Sequence, residues 1–458
     1  MGKRQPTKKQ AQKKQAQKKG RPQAKRTDWA EITMEIWLGL FVAFYLLFPG
    51  GKGYRAISAA KTWSFYGLMA LLLGIGIWYF VRDLRNKTLR PLTAPQIAAL
   101  GFLVCTLVSA ALSAYPDKAW YNPSAHEAAL TVSLYVLLFL IVSRWGRATE
   151  RLFRVLCWSL GAFCLLCLLQ AFGENPLGLY PGDMNYYDGY NVKYPGGYAG
   201  TIGNVDFVSA FLALVTPMLL LRTLGQKPKL AWPCWVLAAI CFGLAVWIRV
   251  LCGLVGLALG AVICLAVLCR DRDRKWILLG IGALALAGLA LLWAVDLPVK
   301  FLHELHELLH GRPDDTFGTG RFYIWRQMLE RIPSQLFFGV GPDAARFSGL
   351  EPFIRYEDGV EVARATITDA HCYPLHILYC QGLPALLSWL ALVGMTLFRW
   401  FKARTDPAIR SLGGGLVCFL CAMFFCPSSI IIMPFFWLTM ALIEAAAKRD
   451  KGQVTADK

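Results

Sequence analysis

The sequence is poor in charged residues for its size. Asp, Glu, Lys and Arg make up 17% of the 458 residues, whereas 56% are hydrophobic and the mean hydropathy is +0.44. A soluble domain of this length would not be so apolar, and the apolar runs are each long enough to cross about 30 Å of hydrocarbon as a helix. The composition therefore excludes an ordinary soluble protein and predicts an all-α polytopic integral membrane protein.

Acidic and aromatic residues are both absent from the first 26 positions, which hold 11 Lys and Arg and a tandem KKQAQ repeat. This stretch also lacks an apolar core, so it is not a cleavable signal peptide. We predict that residues 1–28 form a basic, disordered cytoplasmic tail that touches anionic lipids. Without aromatic residues for stacking, no nucleic-acid partner is expected.

The cysteine pattern gives no sign of a disulfide framework. Most of the 14 Cys lie inside apolar runs, including two C-x-x-C pairs, Cys164 with Cys167 and Cys418 with Cys421. A structural metal site would need a second pair or a nearby His, and none follows in the sequence. We interpret these cysteines as small packing residues, and we expect no metal and no cofactor.

Twelve hydrophobic segments predict about twelve transmembrane helices. They fall at 32–48, 63–81, 94–112, 127–143, 152–172, 205–221, 232–249, 251–269, 276–295, 373–398, 411–427 and 430–447. Basic connections such as RDLRNKTLR alternate with connections poor in Lys and Arg, which under the positive-inside rule puts both termini in the cytoplasm. The predicted organisation is a tail (1–28), helices 1–9 (29–295), a large extracytoplasmic loop with short helices (296–372), helices 10–12 (373–447) and a cytoplasmic tail (448–458).

The only long polar stretch between apolar runs extends from Pro313 to Pro384 and carries three ordered motifs. DDTFGTGRFYIW contains Arg321 directly after Gly-Thr-Gly, FFGVGPDAARF contains a G-x-G turn, and TDAHCYPLHILYCQGLPALLSW places His371 before an apolar run. A fourth motif, GTIGNVDFVSAFLALVTP, precedes an earlier apolar helix. In this order and spacing, the set resembles the motifs of the O-antigen ligase and polymerase family.

The resemblance implies a bacterial inner-membrane glycosyltransferase with a GT-C-like fold. Such proteins move a glycan from an undecaprenyl diphosphate carrier to a glycan, lipid or protein acceptor on the outer face of the membrane, with inversion at the anomeric carbon and without a metal. The sequence departs from the family pattern at Cys372, where the family has Asn after the His. It also lacks an intact Ser-Arg-Gly between two middle helices, and Arg249 lies closest to that position.

The chemistry of this reaction favours particular residues. A guanidinium group stays charged and grips phosphate oxygens, which makes Arg321, at a predicted helix start, the first candidate to stabilise the leaving diphosphate. Imidazole titrates near neutrality, so His371 is the candidate base or acceptor-orienting group, with Asp369 two residues earlier as its partner. An ion pair of Arg321 with Asp314 or Asp315, and a simple helix-capping role for His371, are the structural alternatives. Further candidate substrate-binding residues are Arg249, Arg346, Gly320, Trp325, Asn204 and His126.

Two other functions compete with glycan transfer. The segment FLHELHELLHG contains an H-E-x-x-H match formed by His306, Glu307 and His310, which is the pattern of zinc metalloproteases. The same pattern arises from a tandem H-E-L repeat in an amphipathic interfacial helix, and no third-ligand motif follows. A polysaccharide transporter without bond chemistry would also suit twelve spans, but it would not explain Arg and His at these positions of a large outer loop.

Overall fold

The computed structural model describes residues 29–51, 53–122, 127–179, 199–269, 271–357 and 360–456. Within these ranges the chain folds into sixteen α-helices and one β-hairpin. The predicted basic tail, residues 1–28, lies outside the described residues. The helices are α1 (Trp29–Leu40), α2 (Gly53–Arg85), α3 (Ala94–Leu112), α4 (Pro116–Trp120), α5 (Ala129–Trp145), α6 (Glu150–Ala171), α7 (Val205–Arg222), α8 (Pro228–Ile248), α9 (Leu251–Leu268), α10 (Asp271–Ala294), α11 (Lys300–Leu309), α12 (Phe317–Arg331), α13 (Tyr373–Gln381), α14 (Leu383–Lys402), α15 (Pro407–Ala422) and α16 (Met433–Ala456).

Each of the twelve predicted apolar segments corresponds to helical structure, although fewer helices have the dimensions of a membrane span. Among the described residues, eight are long and apolar enough to cross a membrane by length and composition: α2, α3, α6, α7, α8, α9, α10 and α14. Helices α5 and α15 are apolar but shorter. Helix α1 continues as a π-helix over Phe41–Tyr45. The protein is therefore a polytopic, all-helical membrane protein, and the count of twelve spans stays a prediction.

Helix α7 lies at the centre of the bundle, and 78% of its apolar window is buried. It packs against α8, α9 and α15. Close approach to α9 depends on small residues, because a Cβ added at Gly253 would lie 2.3 Å from the Ser209 carbonyl oxygen of α7, and one at Gly256 would lie 2.7 Å from the Cys418 carbonyl oxygen of α15. The apolar window of α10, by contrast, has no buried residues, as expected for a helix that faces lipid.

The predicted helix over 373–398 is interrupted, which corrects the assignment of a single span there. Helices α13 and α14 are separate, and they meet at Gly382, whose φ of 84° lies in the left-handed region. A Cβ at this position would lie 2.3 Å from the Phe337 carbonyl oxygen, so only glycine allows the preceding loop to pass so close.

The segment between α10 and α13 folds as a packed unit with its own small core. Helices α11 and α12 are followed by 3₁₀ turns at Ile332–Gln335 and Ala345–Phe347 and by strands β1 (Phe353–Glu357) and β2 (Val360–Ala365). The strands pair antiparallel with a register shift between Arg355 and Tyr356. The hairpin was not predicted from the sequence. The buried side chains of this core include Ile324, Met328, Ile367 and Ala370, together with Tyr379 of α13.

Candidate functional site

A polar cavity of about 330 Å³ lies where the α12–α13 segment meets the ends of α5 and α7. Such a volume is near the lower end of the range for ligand pockets. Four of the sequence-predicted site residues line this cavity: Asn204, Arg346, Asp369 and His371. Its other polar lining residues are Ser58, Asn122, Glu127, Asp206, Asp343, Thr368, His376, Ser428 and Ser429.

His371 is held in an unusual backbone conformation at the edge of the cavity. Its φ is 50°, a region that costs a residue with a side chain about 1–3 kcal/mol. The His371 backbone N–H donates to Asp369 Oδ1 at 2.6 Å, which offsets part of that cost. The ring nitrogen Nδ1 has no hydrogen-bond partner among the described residues. Burial lowers the pKa of the imidazole, so the ring is neutral and able to accept a proton at neutral pH.

Asp369 connects three elements around this histidine. Its Oδ2 accepts a hydrogen bond from Ser428 Oγ at 3.2 Å and lies 3.4 Å from His376 Nδ1. His376 is buried in α13, one turn beyond the start of the helix. One oxygen of the carboxylate thus holds the backbone of His371. The other oxygen contacts helix α13 through His376 and the 427–429 segment through Ser428.

Two further carboxyl groups lie deeper, and burial favours their protonated forms. Burial, together with a smaller effect of the Asp369 charge, raises the pKa of Glu127 to about 7. Burial also raises the pKa of Asp343 well above its usual range. Asp343 Oδ2 accepts the Glu127 backbone N–H at 3.2 Å, and Tyr135 Oη donates to Glu127 Oε1 at 2.7 Å. Both side chains were missed as site residues in the sequence.

Arg321 follows a left-handed turn, as its Gly-Thr-Gly context suggests. Gly318, Thr319 and Gly320 have φ values of 61°, 61° and 84°, and the regular helix follows them. Arg321 Nη1 donates to the Gly318 carbonyl at 2.6 Å, and Nη2 donates to the Phe425 carbonyl at 3.0 Å. Its Nε has no partner among the described residues. The guanidinium is close enough to His371 that its charge helps to lower the imidazole pKa.

The alternative ion pairs of Arg321 do not form. Asp315 instead pairs with Arg326 at 2.5 Å. Asp314 accepts hydrogen bonds from the backbone N–H and hydroxyl of Thr316. Arg321 therefore has its contacts with carbonyl oxygens and no carboxylate partner among the described residues, which leaves its positive charge uncompensated locally.

Gly320 and Trp325 lie outside the cavity lining and pack against the segments that carry the site residues. Gly320 is buried, and a Cβ there would lie 3.1 Å from the ring of Phe353. Trp325 Nε1 donates at 2.8 Å to the carbonyl of Ala370, the residue immediately before His371. These contacts indicate that the motif residues position the loop between β2 and α13, residues 366–372, which carries His371 and is called the histidine loop below.

Asn204 and Arg346 reach the cavity from different directions. Asn204 is the N-cap of α7, where its Oδ1 accepts the N–H groups of Asp206 at 2.8 Å and Phe207 at 3.4 Å. Arg346 lies in the 3₁₀ turn Ala345–Phe347 and is exposed at the cavity. The cap thus explains the Gly-Asn pattern before α7, while Arg346 places an exposed cation in the lining of the cavity.

Four of the described site residues predicted from the sequence are not among the residues that line this cavity: Arg249, Gly320, Arg321 and Trp325. Arg249 ends α8 with a φ of 57° in the short turn to α9, where it is exposed and does not line the cavity. This placement agrees with the turn interpretation that the broken motif left open. His126 lies outside the described residues.

The acidic residues of the cavity could not be grouped from their positions in the sequence. Glu127, Asp343 and His376 come from three distant segments, and only the fold brings them together. Two local signals were available: Glu127 precedes an apolar helix, and Asp343 follows the Gly-Pro of the G-x-G motif. A carboxylate at the border of an apolar run is costly and is a sign of function.

The H-E-x-x-H segment forms α11, and its side chains are engaged elsewhere. His310 stacks on Trp293 with ring centroids 4.4 Å apart, and its Nδ1 bonds the His306 carbonyl. Glu307 pairs with Arg312 at 2.8 Å. Over the ranges that the structure describes, no three His, Cys, Asp or Glu side chains are placed to hold a metal ion. The amphipathic-helix interpretation therefore accounts for this motif.

Comparison with known proteins agrees with the motif-based resemblance. Residues 236–390 match the family model described as O-antigen ligase. No curated protein matches the chain significantly. The matched segment contains Arg346, Asp369 and His371, three of the four sequence-predicted residues that line the cavity, and it also contains Arg321. Residues 236–390 of this polytopic membrane protein are thus similar to the O-antigen ligase family.

Proposed function

We propose that the protein is a membrane glycosyltransferase of the O-antigen ligase and polymerase type. It moves a glycan from an undecaprenyl diphosphate carrier to an acceptor hydroxyl at the cavity that Asp369 and His371 line. The observation that carries this proposal is His371 itself, which lines a cavity shared with the exposed Arg346, has an unpartnered Nδ1 and lies within the family-matched segment.

His371 acts as the base in the proposed reaction. The acceptor O–H gives its proton to Nδ1 while its oxygen attacks the anomeric carbon of the donor. The bond from that carbon to the diphosphate oxygen breaks, and the diphosphate leaves with the electron pair. A lowered imidazole pKa keeps the ring unprotonated before the reaction, which supports this role.

Arginine side chains stabilise the leaving group in this proposal. Arg346 is exposed at the cavity and approaches the diphosphate first. Arg321 does not line the cavity itself, but it has no carboxylate partner among the described residues, and its charge acts at the neighbouring His371, so we propose that it stabilises the developing anion from behind the lining. Fixed donors aimed at a developing charge are typically worth about 10²–10³ in rate. Arg249 has no contact with the cavity and is not part of the proposed reaction.

The orientation in the membrane is also proposed, from the positive-inside rule. Basic residues gather at the ends of the helices opposite the cavity, which puts both termini in the cytoplasm and the 296–372 segment outside. A GT-C-like bundle of twelve spans fits this topology. Alkaline phosphatase fused after Gly311 should be active in cells, whereas the same fusion after Lys402 should not. The reverse result would place the cavity on the cytoplasmic face and contradict the proposal.

The test of function is transfer from lipid-linked glycan in membranes that contain each variant. His371→Ala should lower the rate by about 10²–10⁴, the usual contribution of a general base. Arg321→Ala should lower it by about 10²–10³. Both variants should still insert into the membrane. Wild-type rates in either variant would remove that residue from the mechanism.

Matched controls lie on the same segment. His303 is an exposed histidine of α11 that bonds Asp296, and Arg326 is an exposed arginine of α12 that pairs with Asp315. Neither lines the cavity. Ala variants of both should retain transfer. If none of the four variants changes the rate while polysaccharide export still needs the protein, a transporter replaces the glycosyltransferase proposal.

The product of the reaction distinguishes the two kinds of family member. Deletion of the protein followed by analysis of lipid-linked and surface glycans gives the answer directly. Accumulated single repeat units identify a polymerase, and long chains that remain unattached identify a ligase.

A further inference from the structure

A second polar cavity, of about 640 Å³, lies at the opposite end of the helices. Helix α5 connects the two ends, since Glu127 precedes its first residue and Arg144 and Trp145 close its last turn. At about 1.5 Å per residue, its 17 residues separate the cavities by about 25 Å. This second cavity is therefore independent of the His371 site. Its cationic lining residues are Arg82, Arg90, Arg144, Arg147, Arg399 and Lys448.

The acidic side chains of this cavity are already partnered. Asp83 accepts from Arg82 Nη2 at 3.1 Å and from Trp145 Nε1 at 2.9 Å. Glu31, the other acidic lining residue, pairs with Arg147. The lining thus carries six cations against two carboxylates, and both carboxylates are occupied.

A third carboxylate behind the lining is occupied as well. Glu444 of α16 is fully buried, and its Oε2 pairs with Arg399 Nε at 2.5 Å. Its Oε1 lies 3.5 Å from Lys448 Nζ and accepts from Thr93 Oγ1 at 2.8 Å. Counting this residue, the side chains in and behind the cavity still have an excess of three positive charges.

The excess is concentrated on Arg90 and Arg144. Neither forms an ion pair with a carboxylate among the described residues. Arg144 Nη2 donates to the Arg90 backbone carbonyl, so the two residues are adjacent. The Asp83 carboxylate, which is already paired with Arg82, attracts Arg144 from a distance, and the Arg90 charge repels it. Two neighbouring guanidinium groups without an acidic partner are suited to a phosphate, which accepts their N–H donors in pairs.

An apolar groove of about 510 Å³ continues from this cavity along the outside of α2 and α5. Arg90, Pro91, Arg144 and Trp145 line both the cavity and the groove. The rest of the groove is mainly apolar, and several of its side chains are exposed: Ile77, Phe80, Leu89 and Leu92. A ligand with a phosphate in the cavity would therefore have room for a hydrocarbon chain beside it.

We propose that this composite site binds an anionic glycerophospholipid. Its phosphate contacts Arg90 and Arg144, and one acyl chain lies in the groove between α2 and α5. Charge complementarity selects the anionic head group, and the adjoining groove selects a lipid over a free phosphate ion. The proposal does not depend on glycan transfer, because the site is remote from His371 and is built from other residues.

Native mass spectrometry of the full-length protein in detergent tests the proposal. Dioleoyl phosphatidylglycerol, dioleoyl phosphatidylcholine and inorganic phosphate are titrated separately. Phosphatidylglycerol should bind most tightly. The Arg90→Gln/Arg144→Gln double variant should bind it about 25-fold more weakly, at about fivefold for each positive charge removed. Arg90→Gln alone, which leaves the Arg144 contact to the backbone in place, should bind it about fivefold more weakly.

The control removes the same charge outside the cavity. Arg272→Gln/Lys402→Gln changes two exposed cations at the same end of the bundle, and its affinity should equal that of the wild type. If this control lost as much affinity for phosphatidylglycerol as the Arg90→Gln/Arg144→Gln variant, the effect would come from net charge alone, and the proposal would be overturned. Equal binding of phosphatidylcholine would show an apolar surface only. Binding of inorganic phosphate as tight as that of the lipid would show a free-anion site, and both results would also overturn the proposal.

Discussion

If Asp369 positions His371, its removal should change both the transfer rate and the pH dependence of that rate in a stated direction. Its carboxylate accepts the His371 backbone N–H at 2.6 Å and holds Ser428 and His376 with its other oxygen. A hydrogen bond to a charged group is worth about 1.5–3 kcal/mol, and about 1.4 kcal/mol corresponds to a factor of ten. Asp369→Ala should therefore lower the transfer rate by about 10–150-fold. Asp369→Asn keeps one carbonyl oxygen for His371 and should lose about tenfold.

The pH profile separates positioning from simple loss of structure. Burial lowers the pKa of His371, while the Asp369 charge raises it. The base is active when unprotonated, so the rate falls as the pH drops through this pKa. Asp369→Asn removes the negative charge that raises the pKa of His371. The acidic limb of the rate profile should then move to lower pH.

The assay is glycan transfer from lipid-linked donor across the acidic pH range. Asp296→Asn is the matched control, because Asp296 also contacts a histidine, His303, but outside the cavity. Its rate and profile should match the wild type. An acidic limb that stays in place or moves to higher pH in Asp369→Asn would refute the assignment of His371 as the base that Asp369 tunes.

Three further predictions address stability and the competing motif. Burial raises the folded-state pKa of Glu127 from 4.5 to about 7, so its contribution to stability is present below about pH 4.5 and is lost as the pH rises to about 7. Thermal melting in detergent at a series of pH values should show that the free energy of unfolding of the wild type falls by up to about 3 kcal/mol over this pH range, and by less in Glu127→Gln. An equal dependence on pH in the two proteins would contradict this prediction. Gly339→Ala should abolish the folded peak in size-exclusion chromatography, because its Cβ would lie 2.3 Å from the Cys380 carbonyl carbon at a φ of +66°, whereas Gly394→Ala, with no neighbouring atom within 4 Å, should not. Glu307→Gln should leave glycan transfer unchanged, and stoichiometric zinc in the purified protein together with proteolysis lost in this variant would restore the metalloprotease hypothesis.

The helices could be predicted from the sequence because long apolar runs leave few alternatives in a membrane. All twelve runs are helical, with boundaries within a few residues of those predicted for α3 and α9. The interruption at Gly382 could not be predicted, since an isolated Gly-Leu-Pro inside an apolar run does not show that another loop must pass within contact distance. The hairpin was missed although Asp358-Gly359 between two β-branched stretches is a hairpin signal. The polarity of that stretch favoured a loop.

The site residues also fall into those that could be predicted from the sequence and those that could not. Arg321, Asp369 and His371 lie in ordered local motifs, and a local motif can be recognised in one sequence. The buried carboxyl groups belong to no motif and are joined by the fold, so their roles depend on burial that only the structure shows. Arg249 shows how ambiguous a local signal can be: an arginine between apolar segments suggests function, and the structure places this one in a left-handed turn between α8 and α9, so its role stays a prediction.

The histidine loop is a fixed wall of the cavity, because it is anchored at both ends. Before α13, the Trp325 indole holds the Ala370 carbonyl, and the Tyr373 N–H donates to the Met423 carbonyl at 2.9 Å. In the last turn of α13, the Cys380 carbonyl accepts the Gly341 N–H of the G-x-G turn at 2.8 Å. A left-handed histidine persists only where its surroundings determine its conformation, and these bonds provide that constraint. The glycines and the tryptophan of the motifs therefore support the histidine: they hold its backbone in the conformation that places His371 in the lining of the cavity.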